Sequence, residues 1–309
     1  MTLDGRNTGT GRKIWYIRHR SLSSVPGFFF AGLPDFRSSG IIRTGNRKNR
    51  RKRGRRPAMT DYQVRINGIE VAARYSERAV EEIFIPLLEN LAERQRAAGR
   101  RILVLLAAPP GAGKSTLASF LECLSRKRAG LCPVQAVGMD GFHRRQEYLL
   151  SHYTVRDGRE ISMVEIKGAP VTFDLEKLQS AVRRVAAGEN CGWPAYDRLL
   201  HNPVEDAVTV DGKIVLLEGN YLLLEEEGWR DLAACADYTV SVSAGEKLLR
   251  DRLIDRKIHT GVAEDAAVRF VDFSDMPNVR LCLAKSAPAD LRLRLDENGD
   301  YYRDSAGRI

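Results

Sequence analysis

The stretch Leu106-Ala107-Ala108-Pro109-Pro110-Gly111-Ala112-Gly113-Lys114-Ser115-Thr116, "LAAPPGAGKST", decides how this chain folds. It closes as G-x-x-x-x-G-K-[ST] phosphate loops do, but Ala108 stands where that pattern opens with glycine. The run before it, "RILVLLA" (101–107), has the composition of a strand buried on both faces of a parallel sheet. Residues 115–126 read as a helix leaving it. In a strand–loop–helix unit of this kind, backbone N–H groups around Gly111 and Gly113 turn inward on phosphate oxygens. The helix adds its positive N-terminal end. Pro110, Gly111, Ala112, Gly113, Lys114, Ser115 and Thr116 are therefore the candidate nucleotide-binding segment. Lys114 would reach the β- and γ-phosphates of ATP, and the Ser115 hydroxyl would ligate Mg²⁺. The methyl of Ala108 is tolerated provided its φ stays negative.

Working outward, apolar residues Val80, Ile83, Phe84, Leu87, Leu88 and Leu91 recur at helical spacing over 76–98, and Gly99 ends that helix. Three further apolar runs read as strands: "CPVQAVGM" (132–139), "KIVLLEG" (213–219) and "DYTVSVS" (237–243). Between them, "DLEKLQSAVRRVAA" (174–187) is an amphipathic helix with Asp174 as N-cap and Gly188 as left-handed stop. Residues 245–258 form another helix. Strands alternating with helices predict an α/β fold of the P-loop NTPase type, a parallel sheet with helices on both faces and a small helical lid. One domain is expected over 59–309.

Ligands of such sheets bind beyond the carboxyl ends of the strands. Three features are expected there together: the glycine loop, Asp140 after the second strand, and Glu218 at the end of the third. A carboxylate following four apolar residues is costly unless it meets a cation, which suits Glu218 as the Mg²⁺ partner of Ser115. The competing reading is an exposed strand-end glutamate. Asp140, in "MDGFH", is placed to orient an acceptor hydroxyl and take its proton. Its plainer reading is a turn aspartate before glycine. In "RDRLIDR", Arg252 and Arg256 lie four apart on one helical face, where two permanent charges could close over phosphates, or merely face solvent.

The formal net charge of +9 is not spread evenly. Fifteen Lys or Arg fall in residues 1–58 against Asp4 and Asp35, so that segment carries about +13 and the remainder about −4. The segment is Gly- and Ser-rich, has no sustained period and ends in "RKNRRKRGRRP", so disorder is expected. Four readings of it stay open: a nucleic-acid or nuclear-import arm, an organelle transit peptide, a solvated tail, or an extension upstream of a true start at Met59. Five scattered cysteines without a C-x-x-C pair argue against a zinc site or disulfide framework and for a reducing, cytoplasmic compartment. No apolar run approaches the ~20 residues of a membrane span.

Taken in order, "PPGAGKSTLA", "MDGFH", "KGAPVTFD", "PAYDRLLHNP", "VLLEGNYLLL" and "RLIDR" resemble the P-loop kinase superfamily of uridine kinases, phosphoribulokinases and bacterial-type pantothenate kinases. The resemblance covers roughly residues 100–290. Within it the chain looks most like a nucleoside/nucleotide kinase-like branch, some of whose members are labelled fructose-transport-system kinases. The resemblance implies ATP and Mg²⁺ as cofactors, Lys114 and Ser115 at the nucleotide, Asp140 as base, Glu218 beside Mg²⁺, and Arg252 and Arg256 in the lid. "PAYDRLLH" is similar to the uridine-kinase segment whose tyrosine and histidine line the acceptor pocket, which puts Tyr196 and His201 there, with Arg198 nearby for an anionic acceptor. His143, in the polar and basic stretch "MDGFHRRQEYLLSHY", joins the candidate substrate residues. Uridine kinases carry an acidic residue for the ribose hydroxyls a few positions before their "FD". Gly168-Ala169-Pro170 stand here instead, in a segment closer to the pantothenate-kinase form.

The expectation is an ATP- and Mg²⁺-dependent kinase acting on a hydroxyl of a sugar, nucleoside or pantothenate-like metabolite, with no nucleic-acid or membrane partner and homodimerisation open. A P-loop ATPase or nucleotide-dependent regulatory protein without a small acceptor is the alternative. Asp140 and the Tyr196–His201 segment discriminate the two, because an ATPase needs no base beside an acceptor pocket.

Overall fold

The computed structural model describes residues 41–44, 59–66, 69–198 and 200–304. The expected extension 1–58 lies outside them except for β1 (Ile41–Thr44), which pairs antiparallel with β2 (Met59–Ile66). Those four residues are a strand rather than irregular chain. Ile41, Ile42 and Thr44 are β-branched and favour extended backbone beside an open strand edge. β2 in turn pairs with β3 (Ile69–Ser76), and Tyr62 and Tyr75 of this hairpin are buried against Phe120 and Phe84.

A helical run follows: α1 (Glu77–Ala79), one wider π turn (Val80–Phe84), then α2 (Ile85–Ala98). Next come β4 (Ile102–Ala107), α3 (Lys114–Lys127) and β5 (Val134–Gly138). An irregular segment carries α4 (Gln146–Ser151) and a short hairpin of β6 (Tyr153–Arg156) and β7 (Arg159–Ser162). It leads into α5 (Leu175–Ala186), a second hairpin of β8 (Cys191–Asp197) and β9 (Asn202–Val210), and β10 (Ile214–Gly219). The chain continues through β11 (Tyr238–Ala244), α6 (Glu246–His259), α7 (Glu264–Phe270), α8 (Met276–Lys285), β12 (Leu291–Leu295) and β13 (Tyr301–Arg303).

Six strands form the central sheet in the order β5-β10-β4-β11-β12-β13, all parallel except β13. The chain leaves β4, runs outward to β5, returns through β10, and only then crosses to β11 on the other side of β4. The order reverses at β4, so the crevice that binds ligands opens at its carboxyl end, where the glycine loop begins.

The apolar runs are continuous because both sheet faces are covered. Ile102, Val104 and Leu106 of β4 join one core with Phe84, Leu88, Leu117, Phe120, Leu249 and Leu253. Leu103, Leu105 and Ala107 join the other with Leu178, Val182, Trp193, Leu217 and Trp229. The expected helix 174–187 is α5, with Asp174 accepting from the Lys177 N–H at 3.2 Å and Gly188 in left-handed geometry. Helices α6 to α8 pack on the same core, and α6 is seated in it by Leu249 and Leu253 beside Gly111 of the glycine loop. Among the described residues no helix is long and apolar enough to cross a membrane.

Candidate functional site

The glycine loop has the backbone its sequence requires. Gly111 and Gly113 lie at φ 86° and 82°, and α3 begins at Lys114. Ala108 is buried and lies outside the left-handed region, and its N–H donates to the Gly219 carbonyl at 3.2 Å. The alanine thus extends the strand instead of making the turn, which is why it can replace glycine.

Glu218 sits between Leu106 of β4 and Gly138 of β5 in the parallel register, 7% exposed. Burial pushes its carboxyl pKa up and nearby Asp140 adds to this, while Lys114, a hydrogen bond with Ser115 and Arg198 oppose it. It is a carboxylate short of positive charge. Asp140 lies just past β5, in the single 3₁₀ turn Met139–Phe142. Burial alone would raise its pKa, but His143, Lys114, Arg198 and Arg256 together hold it below the usual carboxylate range. Two carboxylates at neighbouring strand ends are therefore driven in opposite directions by their surroundings.

The Asp140 turn is fixed from outside. The Trp193 indole N–H donates to the Gly138 carbonyl at 2.8 Å, and the Phe142 ring meets Trp193 edge-on with centroids 4.9 Å apart. The His143 backbone N–H donates to the Asp140 carbonyl at 3.2 Å, and its ring Nδ1 lies 2.8 Å from the same oxygen.

The Ser115 hydroxyl and the Glu218 and Asp140 carboxylates are hard oxygen donors, the set that suits Mg²⁺. Among the described residues no group of three or more His, Cys, Asp or Glu is clustered to hold a metal unaided. That composition fits an ion held by one or two carboxylates and completed by phosphates and water, and does not fit zinc. The five cysteines are dispersed and form no disulfide among the described residues.

On the far side of Asp140 the expected acceptor residues fall into two groups. His143 packs its ring 3.9 Å from Phe173 and 5.2 Å from Tyr196, centroid to centroid. Burial lowers the His143 pKa against the pull of Asp140, and raises the Tyr196 hydroxyl to about 12 with Arg198 opposing, so the Tyr196 hydroxyl keeps its proton near pH 7. Burial and the repulsion of Arg198 lower the pKa of Arg256, with Asp275 and Asp140 acting the other way. Arg198 and Arg256 therefore converge on Asp140.

Arg252 and His201 are placed otherwise. Arg252 is one turn earlier on α6 and turns toward the β12–β13 connection, where a Cβ on Gly299 would lie 3.3 Å from its Nη2. It opposes the burial that carries the Tyr301 hydroxyl to about 12. The shared helical face expected for Arg252 and Arg256 does not bring their guanidiniums together, because side chains of this length diverge along the edge. His201 adopts a left-handed φ of 53° with its side chain exposed, and its carbonyl rather than its ring meets the site.

That carbonyl accepts from Lys167, a residue sequence reasoning did not single out although it heads the quoted segment "KGAPVTFD". Lys167 Nζ donates to the His201 carbonyl at 3.0 Å and to Gln146 Oε1 at 2.7 Å, and lies 4.9 Å from the Tyr196 ring centroid. Burial brings its pKa down to about 8. Beside His143 opens a cavity of about 270 Å³, whose lining includes Arg144, Arg145, Tyr148, Asp174 and Lys177.

No family model matches the sequence. Over 241 residues it is 40% identical to the uncharacterized protein YggC of Escherichia coli, covering 78% of this chain and 98% of that one. A Schizosaccharomyces pombe protein provisionally named a uridine kinase is 30% identical over 220 residues, 69% of this chain and 89% of its own. Among solved structures, a provisionally named fructose transport system kinase from Silicibacter sp. TM1040 superimposes with a TM-score of 0.61 at 32% identity, covering 68% of this chain and 98% of that one.

Proposed function

The chain belongs to the P-loop kinase superfamily of uridine kinases, phosphoribulokinases and pantothenate kinases, and we propose that it transfers the γ-phosphoryl group of ATP to a hydroxyl of a small metabolite with Mg²⁺ as cofactor. One observation carries this reading: the phosphate loop, Glu218 and Asp140 occupy the carboxyl ends of three adjacent strands, and behind Asp140 stands a wall of His143, Tyr196 and Arg198. A nucleotide hydrolase needs the first part of that arrangement and has no use for the second.

The roles follow from the environments. The loop N–H groups and Lys114 hold the phosphates, as helix N-termini do. Ser115 and Glu218 would hold the metal ion, which neutralises phosphate charge when bound. Asp140, kept ionised by the surrounding cations, takes the proton of the acceptor hydroxyl. That oxygen forms a bond to the γ-phosphorus while the bond from phosphorus to the β-phosphate oxygen breaks, giving ADP and a phosphate ester. Arg256 and Arg198 stabilise the charge spread over the transferring group. Acceleration comes mostly from positioning and charge neutralisation, as is general for this chemistry.

The test follows ADP release from Mg·ATP by the full chain against sugars, sugar phosphates, nucleosides and pantothenate-like alcohols, with wild type and Asp140→Ala. An acceptor that raises turnover in wild type alone supports the reading. ADP release indifferent to every acceptor and to Asp140 would replace it with an ATPase or regulatory role.

A further inference from the structure

Resting on that reading, we propose that the acceptor carries an anionic group, phosphate or carboxylate, and that Lys167 is the residue that selects it. Lys167 holds its ammonium group in an unusual place. Lys167 is half-buried, and among the described residues it makes no ion pair. Its two hydrogen bonds go to neutral oxygens, the His201 carbonyl at 3.0 Å and Gln146 Oε1 at 2.7 Å. An ammonium has three protons to donate, so one remains for a ligand.

Desolvating a cation without an anion beside it is unfavourable, and a fold that needed only a clamp between α4 and the β8–β9 turn could use an amide. The cation is kept, and its position explains why. It lies over the face of Tyr196 at 4.9 Å from the centroid. Tyr196 is 5.2 Å from the His143 ring, and His143 Nδ1 touches the Asp140 backbone oxygen. One ring pair therefore stands between the Asp140 turn and the ammonium, a layout that suits a short metabolite with its hydroxyl at one end and a negative group at the other.

Charge balance points the same way. In the proposed roles Lys114, Arg256 and Arg198 would serve the transferring phosphate, Glu218 the metal and Asp140 the acceptor hydroxyl. Lys167 is left over on the Tyr196 side, opposing the protonation of His143 and with no carboxylate paired to it among the described residues. Gly168, Ala169 and Pro170, which follow Lys167, offer no side chain that could hydrogen-bond a pair of neutral hydroxyls.

The experiment measures binding separately from turnover. The full chain is saturated with Mg²⁺ and the β,γ-imido analogue of ATP, so that the phosphate loop is filled. Calorimetry then compares matched probes that differ only in charge: ribose 5-phosphate with ribose, glycerol 3-phosphate with glycerol, and pantothenate with pantothenol. The expected result is at least tenfold tighter binding of the charged member of one pair. Lys167→Met abolishes that preference and Lys167→Arg, which keeps the charge, retains most of it. Phosphate-bearing and carboxylate-bearing pairs report which anion is read. Equal binding of charged and neutral partners, binding of no charged probe, or a preference that survives Lys167→Met overturns the proposal. ADP release with ATP in place of the analogue decides the kinase reading by itself, since selective binding without turnover would leave the anion site standing and remove the kinase.

Discussion

Glu218 and Gly138 lie opposite each other where β10 pairs with β5, and a methyl group on residue 138 would come within 3.0 Å of Glu218 Oε1. The carboxylate occupies the space a side chain at 138 would claim. Gly138→Ala should therefore displace Glu218 by a few tenths of an ångström and leave the fold intact. The expected effect is a loss of about tenfold in kcat/KM, appearing mainly as a higher Mg²⁺ requirement, since small misplacements of positioned groups are costly. A Mg²⁺ titration of initial rates checks it.

Asp140 is held ionised by its surroundings. Asp140→Asn should lower acceptor-dependent kcat by about 10²–10⁴, the range typical of a lost general base. Nucleotide affinity should change little, because the loop that holds the phosphates is built from β4 and α3. Equilibrium nucleotide binding and steady-state rates on one preparation separate the two effects.

The two glycines of the phosphate loop should not be equivalent. Both have left-handed φ, but a Cβ on Gly113 would meet nothing within 4 Å, whereas one on Gly111 would lie 3.0 Å from the Leu249 carbonyl oxygen and 3.1 Å from Leu253 Cγ. Gly113→Ala should cost about 1–2 kcal/mol from backbone strain alone. Gly111→Ala should cost roughly 1–3 kcal/mol more, because α6 must move. Denaturant midpoints of the two variants measure the difference.

Trp193 reaches the active edge without touching it. Trp193→Phe leaves the Gly138 carbonyl without its donor and loosens the turn carrying Asp140. A stability loss of about 1–3 kcal/mol is expected for the unmatched carbonyl, together with a several-fold drop in kcat at unchanged nucleotide affinity. Chemical denaturation and kinetics give both numbers.

The Lys167 pKa of about 8 lies below the ordinary lysine value, with burial as its cause. Between pH 8 and the unfolded value the unfolded chain binds more protons at this position, so its contribution to stability rises with pH over that window. Anion affinity should do the opposite and fall as pH climbs through 8. The groups facing the ammonium, namely His143, Tyr196, Gln146 and the His201 carbonyl, bring no carboxylate to compensate. Thermal midpoints and probe affinities from pH 7 to 10, in wild type and Lys167→Met, test both slopes.

Much of the fold was legible because burial on two faces leaves a plain mark. "RILVLLA" and "KIVLLEG" became β4 and β10, adjacent and parallel, and their alternate residues divide between the two cores. Asp174 and Gly188 bounded α5 as capping chemistry says they should. The hairpins β6–β7 and β8–β9 were not legible. Their outer faces are solvated and their pairing depends on the turns joining them, so neither shows a strong period. Leu291, Leu293 and Leu295 alternating with Arg292 and Arg294 do carry the strand signal of β12.

The sequence by itself determined the phosphate loop, the strand ends bearing Asp140 and Glu218, and the family to which they belong, because each depends on a few neighbouring residues and on local backbone geometry. Only the tertiary structure decided what stands around them. It separated Arg252 from Arg256, gave the His201 carbonyl rather than its ring to the site, and set Lys167 over Tyr196. Those outcomes depend on how far long side chains reach across elements distant in sequence, and on which charges share a buried space, and neither quantity is written in local spacing.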